Sequence, residues 1–193
     1  TFMRRYLGID PETVEDYSVQ AALEVESLLD LSVSRYESAN LAYHYRSRSE
    51  ELIAFSNAAF YDTGLQIAPN LSKNLHTPPI ERVKVKGRFV DRRNRAEALA
   101  VVEKLREILR DRRQNESIGI ITFNAEQQDC IAEALEHASA KDPDFRSLIL
   151  RETHRTEDGE DVSLFIKNLE KVQGDERDII LFSVGYAPSD ADG

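Results

Sequence analysis

Apolar positions along the chain alternate between helical and strand-like spacing. Over residues 18–35, Leu23, Ser27, Leu28 and Leu31 fall near one face, which predicts a helix. NLAYHY (40–45) alternates as a strand does. Ser47 and Glu50 stand three apart ahead of Leu52, Phe55, Ala59 and Phe60, the spacing of a capping box that opens a helix. Residues 66–81 hold Pro69, Pro78 and Pro79 and predict a long loop. RVKVKGRFV (82–90) predicts a strand or hairpin with Gly87 at a turn or bulge. Asn94 and Glu97 suggest a second cap, for a long helix with the stripe Ala98, Val102, Leu105 and Leu109 and cations in its last turn. SIGIITF (117–123) is a short apolar strand, and Asn124 opens another helix with Ile131, Leu135 and Ala138 on one side. SLFIKNL (163–169) and DIILFSVG (178–185) are two further apolar strands.

Near-continuous apolar strands alternating with amphipathic helices imply an α/β fold, a parallel sheet with helices on both faces. Ligands of such sheets bind beyond the carboxyl ends of the strands. Three polar clusters fall at such ends: HYRSR after 40–45, TFNAEQ after 117–123 and NLEKVQGDER after 163–169.

At 193 residues and 41% hydrophobic content the chain can bury a sizeable core. No apolar run approaches the roughly 18–20 residues needed to span a bilayer, and there is no signal-peptide pattern, so no membrane partner and a cytoplasmic location are expected. Cys130 is the single cysteine, which rules out an internal disulfide. His44, His76, His137 and His154 lack metal-ligand spacing. The net charge of −10 argues against a whole-surface grip on nucleic acid. It leaves room for local basic patches: Arg46 with Arg48, RFVDRRNR (88–95), and Arg110, Arg112 and Arg113. RETHRTEDGED (151–161) reads as an exposed charged loop.

Each polar cluster has a chemical and a structural reading. Arg46, between a strand and a helix, can present a bidentate cationic fork to a phosphate or pair with a carboxylate of its own domain. Tyr45 can stack on a base or sit in the core. Thr122, Asn124 and Gln127 can donate to a nucleic-acid backbone; the Asn124–Gln127 spacing is equally that of a cap. Gly174 permits a positive φ, while Gln173 and Glu176 offer groups for hydroxyls or cations. The same grouping can be a soluble polar turn.

In this order the clusters resemble the second RecA-like domain of superfamily 1 helicases, in the Upf1-like branch and its large bacterial members. LAYHYRSRSEELIAFSNAAFY is similar to that family's L-x-x-x-Y-R-S/M motif with its Phe-Ser-Asn and Phe-Tyr signature. IGIITFNAEQ resembles G-I-I-T-P-Y-x-x-Q, and IKNLEKVQGDERDIILFSVGY resembles T-V-D-x-x-Q-G-x-E-x-D-x-I-I-x-S. NRAEALAVV (94–102) resembles the N-x-x-E-A helix start, and the likeness covers roughly residues 40–187.

The resemblance implies an ATP-dependent helicase or translocase. Arg46 would face the γ-phosphate, and Tyr45, Gln173, Gly174 and Glu176 would line the nucleotide cleft. Thr122, Asn124, Gln127 and Asn168 would follow single-stranded DNA or RNA, with 5′-to-3′ movement expected. Asn168 departs from the usual Thr, Phe123–Asn124 from the usual Pro-Tyr, and Gly185 stands where relatives often have Arg. No G-x-x-x-x-G-K-S/T occurs. ATP and Mg²⁺ would therefore be held mainly by the first RecA-like domain of the same protein. On this reading residues 1–39 are a helical lead-in and 40–193 a RecA-like domain truncated before the last helicase motif. Such a half motor is expected to be inactive alone. Two rivals are a helicase-like scaffold without ATPase activity and a doubly wound enzyme such as a methyltransferase; the latter would need a glycine-rich turn after an early strand.

Overall fold

The computed structural model describes residues 27–39, 41–45, 47, 49–67, 78–112 and 115–188. They belong to two compact units divided between Glu81 and Arg82. The expected boundary at residue 39 falls inside the first unit.

In the first unit, helix α1 (Leu28–Arg35) is capped by Ser27, whose side chain accepts from the Asp30 N–H. The rest of the helix predicted over 18–35 lies outside the described residues. Strand β1 (Tyr43–His44), helix α2 (Glu51–Phe60) and strand β2 (Gln66–Ile67) form a small parallel β-α-β turn, with Tyr43 opposite Gln66 and His44 opposite Ile67. The expected capping box does not form. Ser47 is drawn to His44 instead: its Oγ lies 2.7 Å from Nε2, which also accepts from the Ser47 N–H. The helix begins at Glu50 with helical backbone and no side-chain cap. Asn57 closes the unit by pairing with both backbone groups of Leu65, at 3.0 and 3.2 Å. Residues 66–67, expected as loop, thus serve as a strand.

The second unit is built on three parallel strands in the order β6-β3-β7: β3 (Ile118–Thr122), β6 (Phe165–Asn168) and β7 (Ile179–Ser183). Helices α3 (Arg95–Asp111), α4 (Ala125–Lys141) and α5 (Pro143–Glu152) complete it, α3 and α4 packing on each other and on the sheet. The predicted stripe Ala98, Val102, Leu105 and Leu109 is buried, joined by Val101. It meets Ile118 and Ile120 of β3, Ile131 of α4, and Phe145 and Ile149 of α5 in one core. Leu135 and Ala138 pack at its edge.

Gly119 is required by close approach: a Cβ there would lie 2.4 Å from the Phe165 ring of the neighbouring strand. Gly87 has a similar role. A Cβ there would strike the Asn94 side chain at 2.2 Å, so the chain passes tightly over the start of α3. The strand or hairpin expected at 82–90 is otherwise irregular. Its one ladder element is the bridge between Val90 and Arg93, closed by Asp91 and Arg92 at φ 50° and 61° rather than by Gly87.

The segment 151–161 differs most from its expected exposed loop. Helix α5 was not anticipated; Asp142 caps it with Pro143 in its first turn. A short hairpin follows, β4 (Thr156–Glu157) with β5 (Glu160–Asp161). Glu152 at the end of α5 is buried between Arg112 and Arg155, all three side chains under a tenth exposed. Both guanidiniums also donate to the Glu116 carbonyl, at 2.6 and 3.2 Å. Arg112 is therefore an internal anchor rather than part of a basic surface patch. Burial alone would raise the Glu152 pKa, but the hydrogen bonds and charges of Arg112 and Arg155 outweigh it and hold the carboxyl below its ordinary value.

Glu152→Ala leaves the buried Arg112 without its carboxylate and Arg155 with Glu157 alone, and is expected to lower stability by about 3–5 kcal/mol in urea titration. The carboxyl is depressed only in the folded state, so its contribution is present above the ordinary Glu value of about 4.3 and lost as pH falls through the lower folded value. The urea midpoint of the wild type should accordingly fall more steeply in acid than that of Glu152→Gln.

Candidate functional site at the carboxyl edge of the sheet

The register places Thr122, Asn168 and Ser183 level with one another at the carboxyl ends of three adjacent strands. Two of the predicted strand-contact positions, Thr122 and Asn168, are thus direct neighbours, and Gln127 lies above Ser183. Their side chains face inward. Thr122 is fully buried and its hydroxyl donates to the Asn124 carbonyl at 2.8 Å. Asn124, 7% exposed, accepts from the Gln127 N–H at 2.7 Å and caps α4. Asn168 accepts from the Lys171 N–H at 3.1 Å and caps a single 3-10 turn at Leu169–Lys171.

Gln127 is fully buried and joins three elements. Its Oε1 accepts from the Asn94 N–H at 2.7 Å, and its Nε2 donates to the Asn94 carbonyl at 3.2 Å and to Ser183 Oγ at 3.1 Å. Ser183 Oγ donates in turn to Glu97 Oε1 (2.8 Å), which also accepts from the Gly185 N–H (2.9 Å). Asn94 Nδ2 donates to the Gly185 carbonyl at 3.0 Å. These four predicted positions thus direct hydrogen-bonding atoms into the fold. Phe123, beside Thr122 at this rim, is 43% accessible.

The turn at 173–176 is built oppositely. It connects β6 to β7, and three of the four charges at 175–178 tie it down. Lys167 Nζ meets Asp175 at 2.6 Å. Arg177 lies 5.0 Å from the Phe165 ring centroid, over its face, and donates from Nε to the Ser163 carbonyl at 3.0 Å. Asp178 accepts from the Ser117 N–H and hydroxyl, both at 2.8 Å. Just ahead of these anchors Gly174 takes φ 90°, with open space where a side chain would be. Gln173 and Glu176 are exposed, and neither side chain makes a hydrogen bond or ion pair among the described residues; the Glu176 carbonyl accepts from Arg177 Nη1 at 2.7 Å. The five polar residues of the segment 173–178 divide into those that fasten the loop and those that it displays.

Tyr45, in the first unit, is 73% exposed directly after β1, in the short turn closed by His44 and Ser47. Arg46 lies outside the described residues. No cluster of three or more His, Cys, Asp or Glu suited to a metal ion occurs among the described residues.

The AAA domain family AAA_12 matches residues 25–190. The chain belongs to this family. It is similar to two proteins named as uncharacterized ATP-dependent helicases, MG140 of Mycoplasma genitalium and the MG140 homolog of Mycoplasma pneumoniae. Each is 36% identical over 91% of the chain. The chain spans 15% of the length of either relative.

The parallel sheet with its flanking helices is the α/β, RecA-like arrangement expected of such a helicase-family AAA domain. Among the described residues no helix is long and apolar enough to cross a membrane. What the sequence did not disclose was the partnership of Gln127 with Asn94 and Ser183, and of Ser183 with Glu97. Local spacing revealed the two caps, but the bond between them joins residues 33 positions apart.

Gln127→Leu removes the partner of the buried Asn94 N–H and the bond to Ser183, and leaves the Asn94 carbonyl with the Ala98 N–H alone. It is expected to destabilise the chain by about 2–4 kcal/mol, as several buried polar groups lose their bonds at once. Chemical denaturation measures this; a loss under about 0.5 kcal/mol would contradict the assigned role.

Proposed function

We propose that the chain is the C-terminal motor part of an ATP-dependent nucleic-acid helicase or translocase, working with a first RecA-like domain that holds the phosphate-binding loop. The observation that carries this reading is the turn in which Asp175, Arg177 and Asp178 are anchored while Gln173, Gly174 and Glu176 are displayed. A solubilising turn has no need of such a division. A binding turn does, because a fixed backbone presents the displayed groups at little further entropic cost.

In this role Gln173 and Glu176 hydrogen-bond the nucleotide, with Tyr45 against its base. Arg46 approaches the γ-phosphate from the turn after β1. The transferring phosphoryl group gathers negative charge on its equatorial oxygens, and a guanidinium there stabilises it by electrostatics and positioning. Such arginines are worth roughly 10³–10⁵ in rate. Mg²⁺ supplies charge neutralisation at the phosphates and is assigned no ligand in this chain. The buried Thr122, Asn124, Gln127 and Asn168 act as positioning residues: they hold the rim on which Phe123 and the backbone meet a single strand.

The similarity to two proteins named as ATP-dependent helicases supports this class of activity over a methyltransferase. A scaffold without ATPase activity is separated from it by turnover. In the protein carrying both motor domains, Arg46→Ala should reduce nucleic-acid-stimulated ATP hydrolysis at least about a thousandfold, with nucleotide affinity nearly unchanged. Glu176→Gln, at an exposed site, should leave thermal stability within about 0.5 kcal/mol while weakening nucleotide affinity or coupling. Unchanged turnover in both variants would remove these residues from the site.

A further inference from the structure

The second unit carries an open cleft of about 1290 Å³ between the segment 85–96 and the residues that follow β7. Four cations line it, Lys86, Arg88, Arg93 and Arg95, against the acids Asp91 and Glu126. Arg92 already pairs with Glu126 at 2.9 Å, and Arg93 reaches Glu133 at 3.5 Å. Lys86 and Arg95 are exposed and make no ion pair among the described residues. A chain of net charge −10 therefore concentrates positive charge in one concavity. Tyr186 forms part of the wall. Its ring packs on Phe89 with centroids 5.0 Å apart and planes tilted by 54°, yet it remains 60% exposed.

The local sequence resists this arrangement. Asp91 and Arg92 are both held at positive φ, which a side chain other than glycine adopts at a cost. Arg95 begins α3, where a cation opposes the helix dipole. The turn closes the Val90–Arg93 bridge and sets Arg93 on the cleft wall, and Arg95 lines the same wall at the start of α3.

We propose that this cleft binds the sugar–phosphate backbone of a single-stranded nucleic acid, with Lys86 and Arg95 on successive phosphates and Tyr186 stacked on a base. The cleft adjoins the carboxyl edge of the sheet through Glu126, in the first turn of α4, so the bound strand continues from the rim at Phe123. Charged contacts supply the affinity and the aromatic face a sequence-tolerant platform. The proposal rests on the reading of the chain as part of a nucleic-acid motor.

The test measures anisotropy of a fluorescent oligo-dT strand over a salt series, together with ATPase activity, in the protein that carries both motor domains. Lys86→Glu with Arg95→Glu should weaken binding at least about tenfold and reduce the salt slope by at least about one. ATP hydrolysis without nucleic acid should be unaltered, and the strand concentration needed for stimulation should rise in parallel. Misfolding is not the expected cause of a loss, because an acid at position 95 suits the helix dipole; the milder Lys86→Gln with Arg95→Gln should give a smaller loss in the same direction. Tyr186→Ala should weaken binding about fivefold or more with the salt slope unchanged. Reversal of Arg146 and Arg151, exposed on α5 and outside the cleft, changes the total charge equally and should have little effect. If that control weakens binding as much as the cleft variant, or if the cleft variant binds as the wild type does, the cleft is not the strand site. Tyr186→Ala binding as tightly as the wild type would overturn the stacking contact. A wild-type protein that hydrolyses ATP yet binds no strand refutes the cleft alone; one that does neither refutes the motor reading with it.

Discussion

The side-chain amide of Gln127 bonds both backbone groups of Asn94, and the arrangement of the carboxyl edge depends on that clamp. A buried amide has to satisfy a donor and an acceptor together. Asn94 offers both because it stands just ahead of α3, where its N–H and carbonyl leave the irregular segment before it. Ser183 and Glu97 extend the bonding to β7 and Gly185. Two helix starts and one strand end are thereby held in fixed relation by hydrogen bonds that have no water to replace them. The first unit uses the same device on a smaller scale, where Asn57 clasps Leu65 and fixes the return from α2 to β2. In both units a side-chain amide bonds the N–H and the carbonyl of one residue next to a regular element.

This explains how one edge serves two purposes. The groups that sequence spacing marks as polar and ligand-like divide by depth. Thr122, Asn124, Gln127 and Asn168 face inward and set the geometry, whereas Gln173 and Glu176 face outward on a loop fastened by its neighbours. Phe165 is central to that fastening. It lies over Gly119, which has no side chain to exclude it, and its own face receives Arg177 and Lys167. A glycine in the middle of a core strand thus belongs to the construction of a loop more than fifty residues away.

Elements with strong local signals were legible in the sequence. The cap at Asn94, the buried stripe of α3, the cap at Asn124 and the three apolar strands all stand where spacing puts them, since each is decided by neighbours within one or two turns. Failures occurred where a distant partner prevailed. Ser47 has the position of a cap but is taken by His44. Arg112 looks like a surface cation until Glu152 is brought beside it by α5, a helix whose signal, Asp142 followed by Pro143, lies in a charged stretch. RVKVKGRFV has the composition of a strand, yet Gly87 and the turn at Asp91–Arg92 commit it to packing over Asn94. Within the candidate site the residue types were readable and their orientations were not, because orientation depends on bonds between segments 30 to 90 positions apart.

The proposed motor role turns on whether the displayed turn of the second unit meets nucleotide. Hydrogen–deuterium exchange of the protein with both motor domains, with and without a non-hydrolysable ATP analogue, tests it. Slowed exchange is expected in the peptide covering 171–178, with little change at α5. Exchange in that peptide that is indifferent to nucleotide, in a protein shown to bind it, would contradict the role.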